Sequence, residues 1–302
     1  MKKRIVIGTR GSNLAVSQTN TVKEMILNHY PDYEVEIEII KTLGDLRRDV
    51  ALDALDRKGI FTKEIEDKLM DGSIDIAVHS MKDMPSEVNS SLHFPITLKR
   101  EDPSDVLVMK DGITLEDIRG ANLKIGTGSK RRILLSRLFL GANPTVPIRG
   151  NVETRIRKIY DMELGGVILA KAGINRLKLS SLNEYILPKD EFLPAPCQGI
   201  LAIQTLKSNR EINEILKPLN HDETYFEMTV EREFMRTLGG GCHSPMGISI
   251  LKDGESYTVK GLFGTEDLDN YIIESIKTNR ENAVADSILL AEKLKEKIRE
   301  VK

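Results

Sequence analysis

Apolar positions in the first two-thirds of the chain fall into short runs separated by stretches of helical period. "RIVIGT", "EVEIEII" and "IDIAVHS" have the length and the turn-residue borders of strands. Between them, Ser12 with "LAVSQTNTVKEMIL", and "FTKEIEDKLMDG" closed by Gly72, repeat apolar residues at three- and four-residue intervals, the spacing of one helix face. Further on, "LKIGTGSKRRILLSRLFL" joins a strand to a helix through a small-residue turn. "NVETRIRKIYDM" reads as a helix, "GVILAKAG" as a strand, and "LPAPCQGILAIQTL" as a proline-rich turn entering one more strand. Such alternation predicts α/β sheets with mainly parallel strands.

The character changes near residue 220. A long helix, "TYFEMTVEREFMRTL", precedes "GISILKDGESYTVKGLF", where an Asp-Gly pair between apolar runs is a hairpin signal. "NYIIESIKT" and an amphipathic helix over 281–299 complete a small α+β domain.

Composition narrows the class. A chain of 302 residues suits two or three domains, and 40% apolar with 30% charged residues is ordinary for a globular protein. The net charge of −2 excludes a general attraction to nucleic acid or to membranes, so a basic site has to be local. No apolar run approaches the roughly 18 residues of a membrane span. The opening "MKKRIVIGTRGS" offers only "IVI" where a signal peptide needs roughly 7–15 apolar residues, so a cytoplasmic protein is expected. The two cysteines, Cys197 and Cys242, have no CxxC spacing and no His pair beside them, and no metal site is expected.

Three segments share one design, in which a strand ends, a small-residue turn follows and a helix begins: "IGTRGS", "IGTGSKRR" and "IRGNVETR". Helix N-termini offer unpaired N–H groups, and each turn carries arginine: Arg10, then Arg131 and Arg132, then Arg149 and Arg155. Arg176 follows a further strand end. Any one of these alone reads as a solvated surface arginine; six at matching positions in a net-acidic chain point to a polyanionic ligand held by guanidinium forks. No Walker loop is present, so a nucleoside triphosphate is not indicated. "VHSMKDMP" sets Lys82 beside Asp83 just after a strand, a carboxylate suited to a ligand that also carries an N–H or a developing positive charge. His79 reads as a packed strand-end residue, "REDPSD" as a structural turn and Cys197 as a packed thiol. Lys58 and Phe61, in "KGIFTKEIE", are candidates to reach and cover the ligand. Cys242 differs from Cys197: in "GGGCHSP" the flanking glycines leave its sulfur accessible.

Taken in order, "IGTRGSNLAVSQ", "KTLGD", "KGIFTKEIE", "DIAVHSMKDMP", "REDPSD", "IGTGSKRR", "IRGNVETR", "LAKAGINRL", "PAPCQGILAIQ" and "EREFMRTLGGGCHSP" resemble the porphobilinogen deaminase (hydroxymethylbilane synthase) family across most of residues 4–247. The resemblance implies a transferase that deaminates four porphobilinogens and joins them head to tail. They add to a dipyrromethane cofactor held by a thioether on Cys242, and water then frees hydroxymethylbilane. It implies Asp83 as the catalytic residue, and Lys82, Asp83, Thr127, Ser129, Arg131, Arg132 and Gly173 as cofactor ligands. Arg10, Ser12, Gln18, Phe61, Arg149, Arg155 and Arg176 would handle substrate and growing chain. The implied fold is two doubly wound α/β domains like those of periplasmic binding proteins, 1–98 with 195–217 and 99–194, with the active cleft between them. A small α+β domain, 218–302, carries the cysteine. A monomer without metal, nucleic-acid or membrane partners is implied.

Some positions depart from the family pattern. Cys197 stands where glycine is usual, Gly128 and Lys130 where serine and leucine are common, and Lys171 is an added cation. A non-enzymatic two-lobed anion-binding protein would share the layout but would not need a reactive anchor. An RNA-binding module would need a basic net charge and exposed aromatics, and aromatics are 5% with no tryptophan.

Overall fold

The computed structural model describes residues 3–46, 62–141, 143–239 and 244–301. Lys58, Phe61 and Cys242 lie outside the described residues. By proximity the chain divides into two compact units, residues 1–100 with 200–225 and residues 101–199 with 226–302.

The first unit holds β1 (Lys3–Thr9), α1 (Asn13–His29), β2 (Tyr33–Ile39), α2 (Leu43–Leu46), α3 (Lys63–Met70), β3 (Ile76–Ser80) and β4 (Leu92–Ile96). Its sheet runs in the order β2-β1-β3-β10-β4, where β10 (Leu201–Leu206) is followed by α8 (Arg210–Leu216). Where a helix joins two strands they are parallel, as in β1 with β2; β10 arrives from far along the chain and is antiparallel to both β3 and β4. Four of the five strands in this sheet therefore run the same way, as the alternation predicts, and β10 is the reversed one. Alternate residues Ile5 and Ile7 of β1 join Ile76, Val78 and Ile203 in a core against Val22 and Ile26 of α1. Gly8 suits the same packing: a Cβ there would stand 2.4 Å from Ile74 Cδ1 and would force that buried side chain to move.

The second unit contains β5 (Asp105–Met109), α4 (Leu115–Gly120), β6 (Ile125–Gly126), α5 (Lys130–Phe139), β7 (Thr145–Val146), α6 (Val152–Asp161), β8 (Gly166–Ala170), α7 (Lys171–Arg176) and β9 (Glu184–Ile186). Its first sheet runs β7-β6-β8-β5-β9, and β5 is antiparallel to both neighbours, β8 and β9. All five residues of β5 are buried, which is why "VLVM" after Asp105 reads as a continuous apolar run.

After α9 (Asp222–Leu238) come β11 (Met246–Asp253), β12 (Ser256–Gly264), β13 (Tyr271–Asn279) and α10 (Ala283–Glu300), with the three strands antiparallel in chain order. Asp253 pairs with Ser256 around a two-residue loop whose first residue, Gly254, has φ +60°, a conformation that favours glycine. Phe234 of α9 fills the space above Gly261, where a Cβ would meet its ring at 2.7 Å. Among the described residues, no helix is long and apolar enough to cross a membrane.

Candidate active site

In the first unit, the β1–α1 turn and the end of β3 come together because β1 and β3 are paired neighbours. Ser12 caps α1, its side chain accepting from Ala15 N at 3.3 Å, and half-buried Arg10 stands just before it. One helical turn further, buried Gln18 donates from Nε2 to Ser80 Oγ at 3.0 Å. Ser80 ends β3 and leads into a single 3₁₀ turn, Met81–Asp83. Met81 and Met84 are buried and pin that turn on both sides, leaving Lys82 half-buried and Asp83 exposed. His79 is buried as expected of a packed strand-end residue. Burial, aided by the charge on Arg10 and opposed by Gln204, pushes its imidazole down to about 4, so it is neutral near pH 7.

In the second unit, "IGTGSKRR" and "IRGNVETR" are adjacent. Thr127 N donates to Val146 O at 2.9 Å, and a Cβ on Gly128 would stand 3.2 Å from Ile148 O. Thr127 is buried and its Oγ1 accepts from Ser129 N at 3.3 Å; Ser129 caps α5, its Oγ accepting from Arg132 N. Gly150 has φ +119°, and a Cβ there would strike Thr154 at 2.7 Å, so only glycine makes this turn; Asn151 then caps α6. Arg155 folds back, its Nε donating to Gly150 O at 2.7 Å, while Arg149 is exposed.

Arg131 and Arg132 are not surface groups: they are 4% and 6% exposed. Both bind one carboxylate, that of Asp105 at the start of β5, at 2.6 and 2.7 Å. Burial would raise the Asp105 carboxyl, but the two guanidiniums, Arg131 foremost, outweigh it and hold it well below the usual carboxylate range. Burial lowers Arg131, with Asp105 opposing. Gly173 lies buried on α7, and Arg176 at that helix's end donates from Nη2 to Gly199 O at 2.6 Å. Burial pushes Arg176 down to about 10 against the charge of Glu101.

"REDPSD" is therefore more than a turn: it supplies Glu101 beside Arg176 and Asp105 beneath Arg131 and Arg132. The readable signal was an aspartate opening a fully apolar strand, a place where a carboxylate needs a cation. The added cations also have acidic partners. Lys130 reaches Glu266 at 3.3 Å, and Lys171 pairs with Glu184.

Two family models match: "Porphobilinogen deaminase, dipyromethane cofactor binding domain" over residues 5–214 and "Porphobilinogen deaminase, C-terminal domain" over 225–298. The chain is 42% identical to a porphobilinogen deaminase of Clostridium novyi (strain NT), over 96% of this chain and 97% of that one. It is 46% identical to one from Clostridioides difficile (strain 630), over 90% of each chain. Among solved structures, a probable amino-acid ABC transporter extracellular-binding protein from Bacillus subtilis is similar over 72% of this chain and 91% of its own, at 13% identity and TM-score 0.43. On the strength of its family models and relatives, this chain belongs to the porphobilinogen deaminase family.

Proposed function

We propose that the chain deaminates porphobilinogen and joins four units head to tail on a dipyrromethane primer attached through Cys242, then releases hydroxymethylbilane by hydrolysis. The observation that carries this reading at the site is the buried cluster of Arg131, Arg132 and Asp105. Two guanidiniums share one carboxylate, which leaves one positive charge for a ligand. A pyrrole with acetate and propionate arms fits that donor set, with the Thr127 and Ser129 hydroxyls at the same turn.

When bound, dipyrromethane would supply the free α-carbon that the first substrate joins, and each pyrrole so added would offer its own free α-carbon to the next. Every addition forms one carbon–carbon bond, displaces that carbon's proton and releases one ammonia from the substrate's aminomethyl group. Exposed Asp83 accepts hydrogen bonds from pyrrole N–H groups and faces the positive charge developing on the substrate's aminomethyl carbon. A fixed carboxylate there acts without reorganising, and proton transfer to the leaving nitrogen adds about 10²–10⁴ in rate. Lys82 and Gly173 join the cofactor ligands. Arg10, Ser12, Gln18, Arg149, Arg155 and Arg176 hold the carboxylate arms of substrate and product, and Phe61 covers the ligand. The proposed organisation is the three-domain division given above, working as a cytoplasmic monomer without nucleic-acid partners; the net charge of −2 supports the last point.

Intact mass of the purified chain tests this. An excess equal to two linked pyrroles is expected, and Cys242→Ser should lack it. A chain weighing only what its residues weigh, yet still converting porphobilinogen, overturns the covalent primer; no ammonia released from porphobilinogen overturns the activity.

A further inference from the structure

Asp105 is fully buried, and four donor contacts converge on its carboxylate. Arg131 Nη1 reaches Oδ2 at 2.6 Å, while Arg132 Nε at 3.1 Å, Arg132 Nη2 at 2.7 Å and Gln198 Nε2 at 2.9 Å reach Oδ1. Each of the three side chains is tied a second time to a backbone carbonyl: Arg131 to Leu193 O, Arg132 to Ile168 O and Gln198 to Pro103 O. Two cations and one anion leave a net charge of +1 inside a low-dielectric site. Without Asp105 the charge there would be +2 on two neighbouring guanidiniums, which repel each other and bind a divalent anion better than a carboxylate.

We propose that Asp105 is a positioning and specificity-determining residue. It fixes the separation of Arg131 and Arg132, and it limits the charge offered at the α5 turn to that of one carboxylate, so the turn takes a pyrrole carboxylate in preference to a dianion. The proposal rests on the reading above only for the identity of the carboxylate.

The test uses the full chain as wild type, Asp105→Asn and Asp105→Glu, with intact mass after matched incubation in porphobilinogen and thermal melting against inorganic sulfate. Asp105→Asn should acquire the two-pyrrole adduct at least about thirtyfold more slowly, the low end of what removing one partner of a buried charge pair does. Asp105→Glu, which keeps the charge, should recover part of the rate. Sulfate should stabilise Asp105→Asn more than wild type, because the dianion replaces the missing charge; a merely structural aspartate would give no such selectivity. Asp105→Asn loading at the wild-type rate with an unchanged sulfate response overturns the proposal. So does an Asp105→Asn chain that is unfolded without sulfate and remains unfolded with it. Should wild type itself carry no adduct, the proposed function fails, while the sulfate comparison still decides the role of Asp105.

Discussion

Gln18 and Ser80 engage each other through both ends of one amide: Nε2 donates to Ser80 Oγ at 3.0 Å, and that hydroxyl lies 3.4 Å from Oε1. A buried residue of the first helix thereby fixes the residue that launches the Met81–Asp83 turn. Gln18→Leu leaves the Ser80 hydroxyl without this partner. It should cost about 1 kcal/mol of stability, with a drop in kcat larger than that loss would cause by unfolding. Urea denaturation alongside steady-state kinetics checks both; unchanged kcat would show that the turn does not depend on this bond.

Asp83→Asn removes a charge while keeping size. Because Asp83 is exposed, melting should be unchanged, and the adduct should still form on the chain. Elongation should slow by about 10²–10⁴. Ammonia release measured on adduct-bearing protein gives the answer, and near-native rates would remove Asp83 from the chemistry.

Acid sensitivity should have a histidine component. The His79 imidazole is pushed from 6.5 to about 4, so between those values the unfolded chain binds more protons than the native one, and stability falls as pH falls through that window. The full shift corresponds to about 3 kcal/mol, present above pH 6.5 and lost by about pH 4. His79→Gln should flatten the loss, read as urea midpoints at pH 7 and pH 4.5. The depressed Asp105 carboxyl contributes at lower pH, below the ordinary aspartate value of about 3.9, as acid protonates it. An identical pH slope in the variant would mean that His79 is not the group responsible.

Cys197 sits at φ +60°, where glycine is unstrained. Its buried N–H donates to Glu231 Oε2, so the strained backbone is held from α9. Cys197→Gly and Cys197→Ala both delete the thiol, but only glycine relieves the backbone. Glycine should be the more stable of the two by about 1 kcal/mol. Differential scanning calorimetry of the pair checks it, and an alanine variant equal to glycine would show that the left-handed conformation costs nothing here.

Much of this site could be read from local sequence, because a helix cap and an anion-binding turn are short-range objects. Ser12, Ser129 and Asn151 all cap the helices their patterns announced. What stayed hidden depends on distant pairs. Asp105 meets Arg131 and Arg132 across 26 and 27 residues and Gln198 across 93, and no spacing rule connects them. The burial of those arginines was hidden for the same reason. β6 and β7 are two residues each, too short to show any period, and the orientation of β5 and β10 is set by tertiary connection, not by their apolar runs.

The insertion of β10 has a consequence for how the protein is made. Among the described residues, β4 has β10 as its one neighbour in the sheet, and β3 needs β10 on its open side. A ribosome that has finished the first hundred residues has therefore produced a sheet it cannot close. At about 5–20 residues per second, the roughly hundred residues still to come leave the β3 edge bare for about 5–20 s. During that interval the nascent chain exposes a strand edge open to mispairing, and a chaperone or slow translation would matter most there.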